Sequence, residues 1–175
     1  MGSSASMSSS SSSNRTFSRS GEKYMISTLT EEELNDKIKE IRRIKIPFFD
    51  DDNLQTISHI VYITGNAPFH EGLIIITKNN CFYSSQSYPI SFEQCISYEH
   101  AIDNITSFCS SNRHSKNSKI RDIWIPQSDI FVKDIVNIVK NLPNRFDILK
   151  ENCQFFCNSI LKKLPLKKKE NNVFI

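Results

Sequence analysis

The stretch HEGLIIITKNNCFYS, residues 70–84, decides the fold. Its first half, from His70 to Thr77, is apolar enough to predict a strand that is covered on both faces. Residues 78–80 predict a tight turn, and a second strand begins at Cys81. The two strands are therefore expected to pair as an antiparallel hairpin.

The residues before this hairpin predict a helix and another strand. Thr30 and Glu33 form a capping box, and apolar residues then recur at helical spacing, which predicts a helix over residues 31–44. Residues 57–64 are rich in apolar and β-branched side chains, which predicts a largely buried strand. Residues 65–68 predict a turn after it.

The residues after the hairpin add two strands and two helices. Residues 120–125 and 145–149 predict strands, one helix is expected to begin near residues 126–128, and a last helix begins near Asn152. The side chains predicted to face inward are Phe131, Ile135, Ile138, Val139 and Leu142 in the first helix, and Phe155, Phe156, Ile160 and Leu161 in the second. Residues 86–118 show no clear pattern. The elements predict an α+β domain, a small antiparallel sheet packed against helices.

Composition sets the domain organisation and excludes one class of partner. Eleven of the first 20 residues are Ser, so residues 1–22 are expected to form a disordered tail. One domain is expected over residues 23–165, followed by a basic tail over residues 166–175. The net charge of +3 is too small to indicate a nucleic-acid partner.

The sequence favours a cytoplasmic protein with a peripheral membrane contact as an option. It has neither an apolar run of about 18 residues nor a secretion signal, so its cysteines are expected to be reduced thiols. Gly2 and Ser6 fit a myristoylation pattern, although a cloning remnant ahead of Met7 would fit as well. Five lysines near the C-terminus are either a solvated helix end or a second membrane signal: Lys162, Lys163, Lys167, Lys168 and Lys169.

Cys153 is the candidate nucleophile because it stands where a strand is expected to lead into the last helix. A thiol at a helix N-terminus meets free backbone N–H groups and the positive end of the helix dipole, which are expected to lower its pKa and favour the thiolate. The same N–H groups could hold an oxyanion. The alternative is an inert core thiol, which is the role expected for the remaining cysteines, Cys81, Cys95, Cys109 and Cys157.

A cysteine nucleophile needs a base, and His70 is the best candidate by position. It opens the first strand of the hairpin, where an imidazole projects beyond the strand end, and Gly72 allows another backbone to approach closely. His59 lies within an apolar strand and is expected to be a core residue. His100 and His114 fall in segments without a clear pattern.

Two motifs in this order resemble the PPPDE peptidases, a permuted papain-fold family that includes desumoylating isopeptidases. Residues 70–73, HEGL, resemble the H-x-G-[VIL] motif of that family. Residues 146–157, FDILKENCQFFC, resemble its second motif, in which a strand leads to N-C-x-x-F at a helix start. The resemblance covers about residues 57–165. It implies a circularly permuted papain-like fold, with Cys153 as nucleophile and His70 as base. It also implies a peptidase or isopeptidase acting on a protein conjugate, such as one with a ubiquitin-like modifier.

The resemblance leaves several points open. Residues 83–85, YSS, stand where the family often has an aromatic residue followed by Gly. The residue that orients His70 could be Ser85, Gln86 or Ser87, or the site could be a plain dyad. Lecithin:retinol acyltransferase-like and NlpC-type proteins share the layout, so a lipid acyltransferase or thioesterase is an alternative. A binding module that has lost activity is another. No cofactor and no metal site are expected.

Overall fold

The computed structural model of the chain describes residues 14–19, 22–47, 69–87, 90–107, 118–143 and 152–170. Within these ranges the chain is a mixed α/β fold with four helices and one mostly antiparallel sheet of eight strands. The strands are β1 (Asn14–Arg19), β2 (Glu22–Ser27), β3 (Ile38–Pro47), β4 (Phe69–Thr77), β5 (Phe82–Ser87), β6 (Ile90–Cys95), β7 (Lys119–Pro126) and β8 (Leu166–Lys168). The helices are α1 (Glu31–Leu34), α2 (Tyr98–Thr106), α3 (Val132–Lys140) and α4 (Cys153–Lys162).

The order of the strands across the sheet is β1-β2-β6-β5-β4-β3-β7-β8. Among these eight strands only β2 and β6 pair in parallel. β4 is one of the two central strands and lies between β3 and β5. The prediction of a mixed fold with a mainly antiparallel sheet is confirmed, although the sheet is larger than expected.

The hairpin predicted for residues 70–84 is confirmed as β4 and β5. Leu73 lies opposite Ser85, and Ile76 lies opposite Phe82. Asn80, in the turn, has a φ of 58°, a left-handed conformation that Asn adopts more readily than most residues. Every residue of β4 from position 70 to 77 is buried, as its apolar sequence predicted.

The two faces of the sheet pack on different helices. Side chains alternate along a strand, so Leu73 and Ile75 of β4 point to one face and Ile74 and Ile76 to the other. The first pair packs with the apolar sides of α3 and α4, and this side is called the α4 face below. The second pair packs with Ile105 of α2, and this side is called the α2 face.

The predicted helix over residues 31–44 is wrong beyond its first turn. Thr30 and Glu33 do form reciprocal capping hydrogen bonds, but α1 is a single turn and β3 follows it. The pairing of β3 shifts register after Ile38 against β4 and after Arg43 against β7. A bulge inserts one residue into the two-residue period of a strand, and the resulting spacing of three looks helical in the sequence.

The later elements agree with their predictions in type and differ in detail. β7 confirms the strand over residues 120–125, and α3 and α4 confirm the two helices. α3 begins at Val132 rather than near residues 126–128. At its start the Phe131 N–H donates a hydrogen bond to Asp134 Oδ2 at 2.8 Å.

Phe155 is a correction to the predicted inward side of α4. Its exposed fraction is 43%, whereas Phe156, Ile160 and Leu161 are buried as predicted. The buried positions of α4 follow the helical spacing of three and four residues from Cys153, and Phe155 falls outside that stripe.

Strands also occur inside the segments that were predicted as tails. β1 lies within residues 1–22 and pairs antiparallel with β2 through backbone hydrogen bonds. β8 lies within residues 166–175 and pairs with β7 between Leu166 and Lys168. In the unassigned stretch of residues 86–118, β6 and α2 are present.

Several predictions lie outside the described residues. They are the strand over residues 57–64 with His59, the turn over residues 65–68, the strand over residues 145–149, and the side chains of Cys109 and His114. Among the helices that are described, none combines the length and the apolar character needed to span a membrane.

Candidate active site

The structure places Cys153 at the first position of α4, as the sequence predicted. Asn152 is the N-cap: its backbone is extended, with φ −96° and ψ −179°, and its side chain accepts a hydrogen bond from the Phe155 N–H at 3.0 Å. An Asn at this position stops the preceding chain from continuing into the helix and satisfies one of its free N–H groups. Cys153 follows directly, and 6% of its surface is exposed.

Burial dominates the electrostatics of the Cys153 thiol and raises its pKa. The negative charge of Glu71 also raises the pKa, because it disfavours a second negative charge nearby. Backbone N–H groups of Glu71, Cys153 and Gln154 hydrogen-bond the sulfur and lower the pKa, but by less than burial raises it. The pKa lowering expected for a helix N-terminus is therefore outweighed, and the resting group near neutral pH is the thiol.

His70 is buried in β4, and its partner is Gln86 of β5. The His70 Nε2 atom lies 3.1 Å from Gln86 Oε1. Burial lowers the pKa of His70, while the hydrogen bond to Gln86 and the charge of Glu71 oppose that shift. The imidazole is therefore held in its neutral form near neutral pH.

The hydrogen bonds of Gln86 define which nitrogen of His70 carries the proton. The Gln86 Nε2 atom donates to the backbone carbonyl of Asn104 in α2 at 3.3 Å, and a carbonyl can only accept. This orientation turns Oε1 towards His70, so the His70 Nε2 atom is the donor and Nδ1 is the basic nitrogen of the neutral ring.

Of the three polar residues that could orient His70, the structure selects Gln86. Ser85 points to the α4 face, where its hydroxyl donates to the Ser91 carbonyl at 2.8 Å. The Ser87 hydroxyl oxygen is buried without a hydrogen bond in the described part of the chain.

His70 and Cys153 reach the sheet from opposite faces. His70 lies opposite Ile46, a residue of the α2 face, and a Cβ atom added to Gly72 would lie 2.7 Å from Ile105 Cγ2 of α2. Cys153 begins α4, which packs on the other face. The Cys153 sulfur nevertheless lies beside the start of β4, because it accepts a hydrogen bond from the N–H of Glu71, the residue that follows His70.

A buried ionic network at this point was not anticipated from the sequence. The Glu71 side chain points to the α4 face and has no exposed surface. Its Oε2 accepts from Arg43 of β3, with the Nε–Oε2 distance 2.8 Å, and its Oε1 accepts from Arg121 of β7. Arg43 Nη1 also donates to Asn158 Oδ1 of α4 at 2.8 Å. The network therefore connects three strands to the helix that carries Cys153.

The signal for this network was present but divided among distant positions. A Glu among apolar strand residues must be paired if it is buried, and this was the local sign that Glu71 offered. Its main partner, Arg43, fell within the segment predicted as a helix, so the two were not placed on adjacent strands. Arg121 is the extra residue of the β3–β7 register shift, since Arg43 pairs with Asp122 and Ile44 with Ile120.

The remaining thiols fit the inert role expected for them where they are described. Cys157 is fully buried, and burial raises its pKa well above the ordinary value. Cys95 lies on the α2 face, 3.5 Å from Ser84 Oγ and from Asn104 Nδ2, and burial raises its pKa as well. His100 belongs to α2, where its Nδ1 accepts from the Ile96 N–H at 3.3 Å. The described ranges contain no group of three or more His, Cys, Asp or Glu residues arranged to hold a metal ion.

A small opening lies beside the start of α4. Its volume is about 10 Å³, room for about one water molecule, and it is lined by Ser87, Ile90, Leu142, Pro143, Asn152, Phe155 and Phe156. The half-exposed Phe155 ring, two residues after Cys153 in α4, contributes apolar surface to this opening. Comparisons of the chain with protein-family models, with curated proteins and with solved structures find no match.

Proposed function

We propose that the protein is a cysteine hydrolase in which Cys153 is the nucleophile and His70 the general base. The observation that carries the proposal is the position of the Cys153 sulfur. It lies at the start of α4 and accepts a hydrogen bond from the backbone of Glu71, next to His70. The order of the two motifs along the chain and their resemblance to PPPDE peptidases support the same assignment, together with a permuted papain-like fold.

The protonation states favour a general-base mechanism over a stored thiolate. Both groups are neutral at rest, because burial raises the pKa of Cys153 and lowers that of His70. Nδ1 of His70 is the nitrogen that takes the thiol proton when the sulfur attacks, while Gln86 holds the protonated Nε2. This step requires the His70 imidazole and the Cys153 thiol to come into contact at the start of β4, where the Glu71 N–H holds the sulfur.

The reaction follows from these roles. The sulfur adds to the carbonyl carbon of a peptide or isopeptide, and the proton passes from sulfur to His70 and then to the leaving amine. An acyl-enzyme remains as a thioester on Cys153, and water, deprotonated by His70, releases the carboxylate and restores the thiol. The backbone N–H groups of Cys153 and Gln154 are the donors available for the oxyanion of each tetrahedral intermediate.

The proposed substrate is a protein conjugate, with a ubiquitin-like modifier as one example. The resemblance favours this class. Within enzymes, lipid acyl transfer or thioester cleavage is the second choice, since the half-exposed Phe155 ring and the lysines near the C-terminus would suit a lipidated substrate.

A non-catalytic binding module is the candidate from a different class, and two observations favour it. The Cys153 pKa is raised rather than lowered. His70 is engaged with Gln86 on the α2 face, whereas α4 packs on the opposite face. A scaffold that kept the fold and lost the chemistry would have these properties.

An electrophilic probe separates the two classes. The probe is a ubiquitin-like modifier that carries a thiol-reactive group at its C-terminus, and a long-chain acyl thioester serves as the lipid counterpart. A hydrolase forms a covalent adduct at Cys153, detected by peptide mass spectrometry. His70→Ala lowers the rate of adduct formation by about 10²–10⁴-fold, the range of general-base catalysis. The control His100→Ala, on α2, leaves the rate unchanged. If neither probe labels Cys153 faster than free cysteine reacts, the binding module is the correct class.

A further inference from the structure

Glu71 binds the catalytic region in two ways at once. Its backbone N–H is hydrogen-bonded to the Cys153 sulfur, and its carboxylate, on the α4 face, is bonded to Arg43 and Arg121. Arg43 continues to Asn158, which lies on α4 between its first and last turns. One residue therefore contacts both the reactive atom and, through an arginine, the helix that carries it.

We propose that Glu71 is a positioning residue for the Cys153 thiol. Arg43 links Glu71 to α4, and the partly exposed Arg121 partly neutralises the Glu71 carboxylate. That the positioned thiol is a nucleophile rests on the proposed hydrolase function. The effect of Glu71 on the pKa and reactivity of the thiol does not rest on it, because alkylation measures both without a substrate.

The first part of the proposal is mechanical. Four hydrogen bonds from the arginines to Glu71 and Asn158 run between β3, β4, β7 and α4, and the Arg43 side chain is 6% exposed. Asn158 is the neutral member, five residues after Cys153 on the same helix. Removing its side chain releases α4 from Arg43 and changes no charge.

The second part is electrostatic. The titratable and charged groups on the elements packed around the start of α4 are Glu71 and His70 of β4, Arg43 of β3, Arg121 and Asp122 of β7, and the Cys157 thiol of α4 itself. Glu71 raises the pKa of both Cys153 and Cys157, and the two arginines lower the pKa of Cys157. The Nε atom of Arg121 also lies 3.7 Å from Oδ2 of Asp122, and the Asp122 carboxylate forms an ion pair with Lys168 of β8.

The two arginines differ in exposure, so a change at the protein surface can alter the charge environment of Glu71 through Arg121. The Arg43 side chain is buried, whereas 43% of the Arg121 side chain is exposed. Replacing a buried ion pair with apolar residues often leaves stability unchanged or higher, so stability alone does not explain these charges. Losing the exposed arginine leaves the carboxylate less neutralised and makes the thiolate harder to form.

The test is the pH profile of Cys153 alkylation by iodoacetamide in the full chain, followed by peptide mass spectrometry. Arg121→Gln is expected to move the midpoint to higher pH and slow alkylation about two- to fivefold at pH 8. Glu71→Gln keeps the size and shape of the side chain but removes its negative charge, and it is expected to move the midpoint of alkylation to lower pH. Arg42→Gln, the neighbour of Arg43 that stacks on Tyr98 instead, is the control and leaves the profile unchanged.

Asn158→Ala tests the mechanical part separately. It is expected to raise the alkylation rate at every pH about two- to fivefold without moving the midpoint, because α4 opens more often. An Arg121→Gln protein that melts like the wild type and keeps the wild-type midpoint overturns the electrostatic role. An unchanged rate in Asn158→Ala overturns the mechanical role. A shifted midpoint in Arg121→Gln without probe labelling of Cys153 would retain the thiol-positioning role and reject the hydrolase.

Discussion

His70 Nε2 and Gln86 Oε1 lie 3.1 Å apart on the α2 face of the sheet, on strands that are neighbours in the β4–β5 hairpin. The Gln86 amide cannot turn over without losing its bond to the Asn104 carbonyl, so it presents only its oxygen to the imidazole. This contact fixes the tautomer of His70 through a residue that carries no charge.

Substituting Gln86 should shift the pKa of His70 in a direction set by the charge of the new side chain. Gln86→Glu places a negative charge beside the ring and is expected to raise the His70 pKa, because an adjacent carboxylate favours the imidazolium. Gln86→Leu removes the partner and is expected to lower the same pKa further and to cost about 1–3 kcal/mol of stability, since a buried donor is left unpaired. Proton NMR titration of the ring measures both. Equal pKa values in the two variants would contradict the contact.

The lowered pKa of His70 also predicts how stability depends on pH. The unfolded chain has an ordinary histidine pKa of about 6.5, whereas burial holds the folded value lower. Between these two values the unfolded state binds more protons, so the free energy of unfolding should fall as the pH decreases through about 6.5.

Urea denaturation at pH 7.5 and pH 5.5 measures this dependence. In His70→Gln the difference between the two pH values should become smaller, because the titrating group is gone and the amide can still pair with Gln86. His100→Gln is the matched control and should keep the wild-type difference. A His70→Gln protein with an unchanged pH dependence would show that another group is responsible.

The start of α4 gives a third prediction. Asn152→Ala removes the hydrogen bond to the Phe155 N–H and is expected to lower the free energy of unfolding by about 1 kcal/mol. It should also speed Cys153 alkylation, because the first turn of the helix frays more often. Thr30→Ala, at the cap of α1, is the control: any cost to stability should leave Cys153 alkylation unchanged. Slower alkylation of Cys153 in Asn152→Ala would contradict the cap.

The parts of the fold that were predictable carry regular local patterns. The all-apolar run of β4 and the turn before Cys81 indicated the hairpin, and the polar Asn152 before an apolar helix indicated the start of α4. β3 was mispredicted because the bulge after Ile38 puts Ile38 and Ile41 on the same face at a spacing of three, which is the spacing of a helix.

The candidate site was predictable in its residues but less so in its surroundings. The position of Cys153 follows from local capping, whereas its raised pKa depends on burial beneath elements that are distant in sequence. The ionic network needs Arg43, Glu71 and Arg121 on three adjacent strands, and strand order is a property of the whole sheet. No local pattern could reveal it.

The last prediction concerns which face of the sheet His70 and Gly72 occupy. A Cβ atom at Gly72 would lie 2.7 Å from Cγ2 of Ile105, a distance that requires the helix or the side chain to move. Gly72→Ala is therefore expected to cost about 1–3 kcal/mol of stability, the usual cost of overpacking a core.

Ile105→Ala should remove that clash, although it also leaves a cavity in the wild-type background, so the informative quantity is the coupling in a double-mutant cycle. The two substitutions together should cost less than the sum of the single costs by about 1 kcal/mol or more, because the alanine methyl at position 72 fills part of the space that Ile105 vacates. The matched cycle combines Gly72→Ala with Ile160→Ala, since Ile160 is an equally buried isoleucine on α4. That pair should be additive within about 0.5 kcal/mol. Coupling to Ile160 instead of Ile105 would place Gly72 and His70 on the α4 face, together with Cys153.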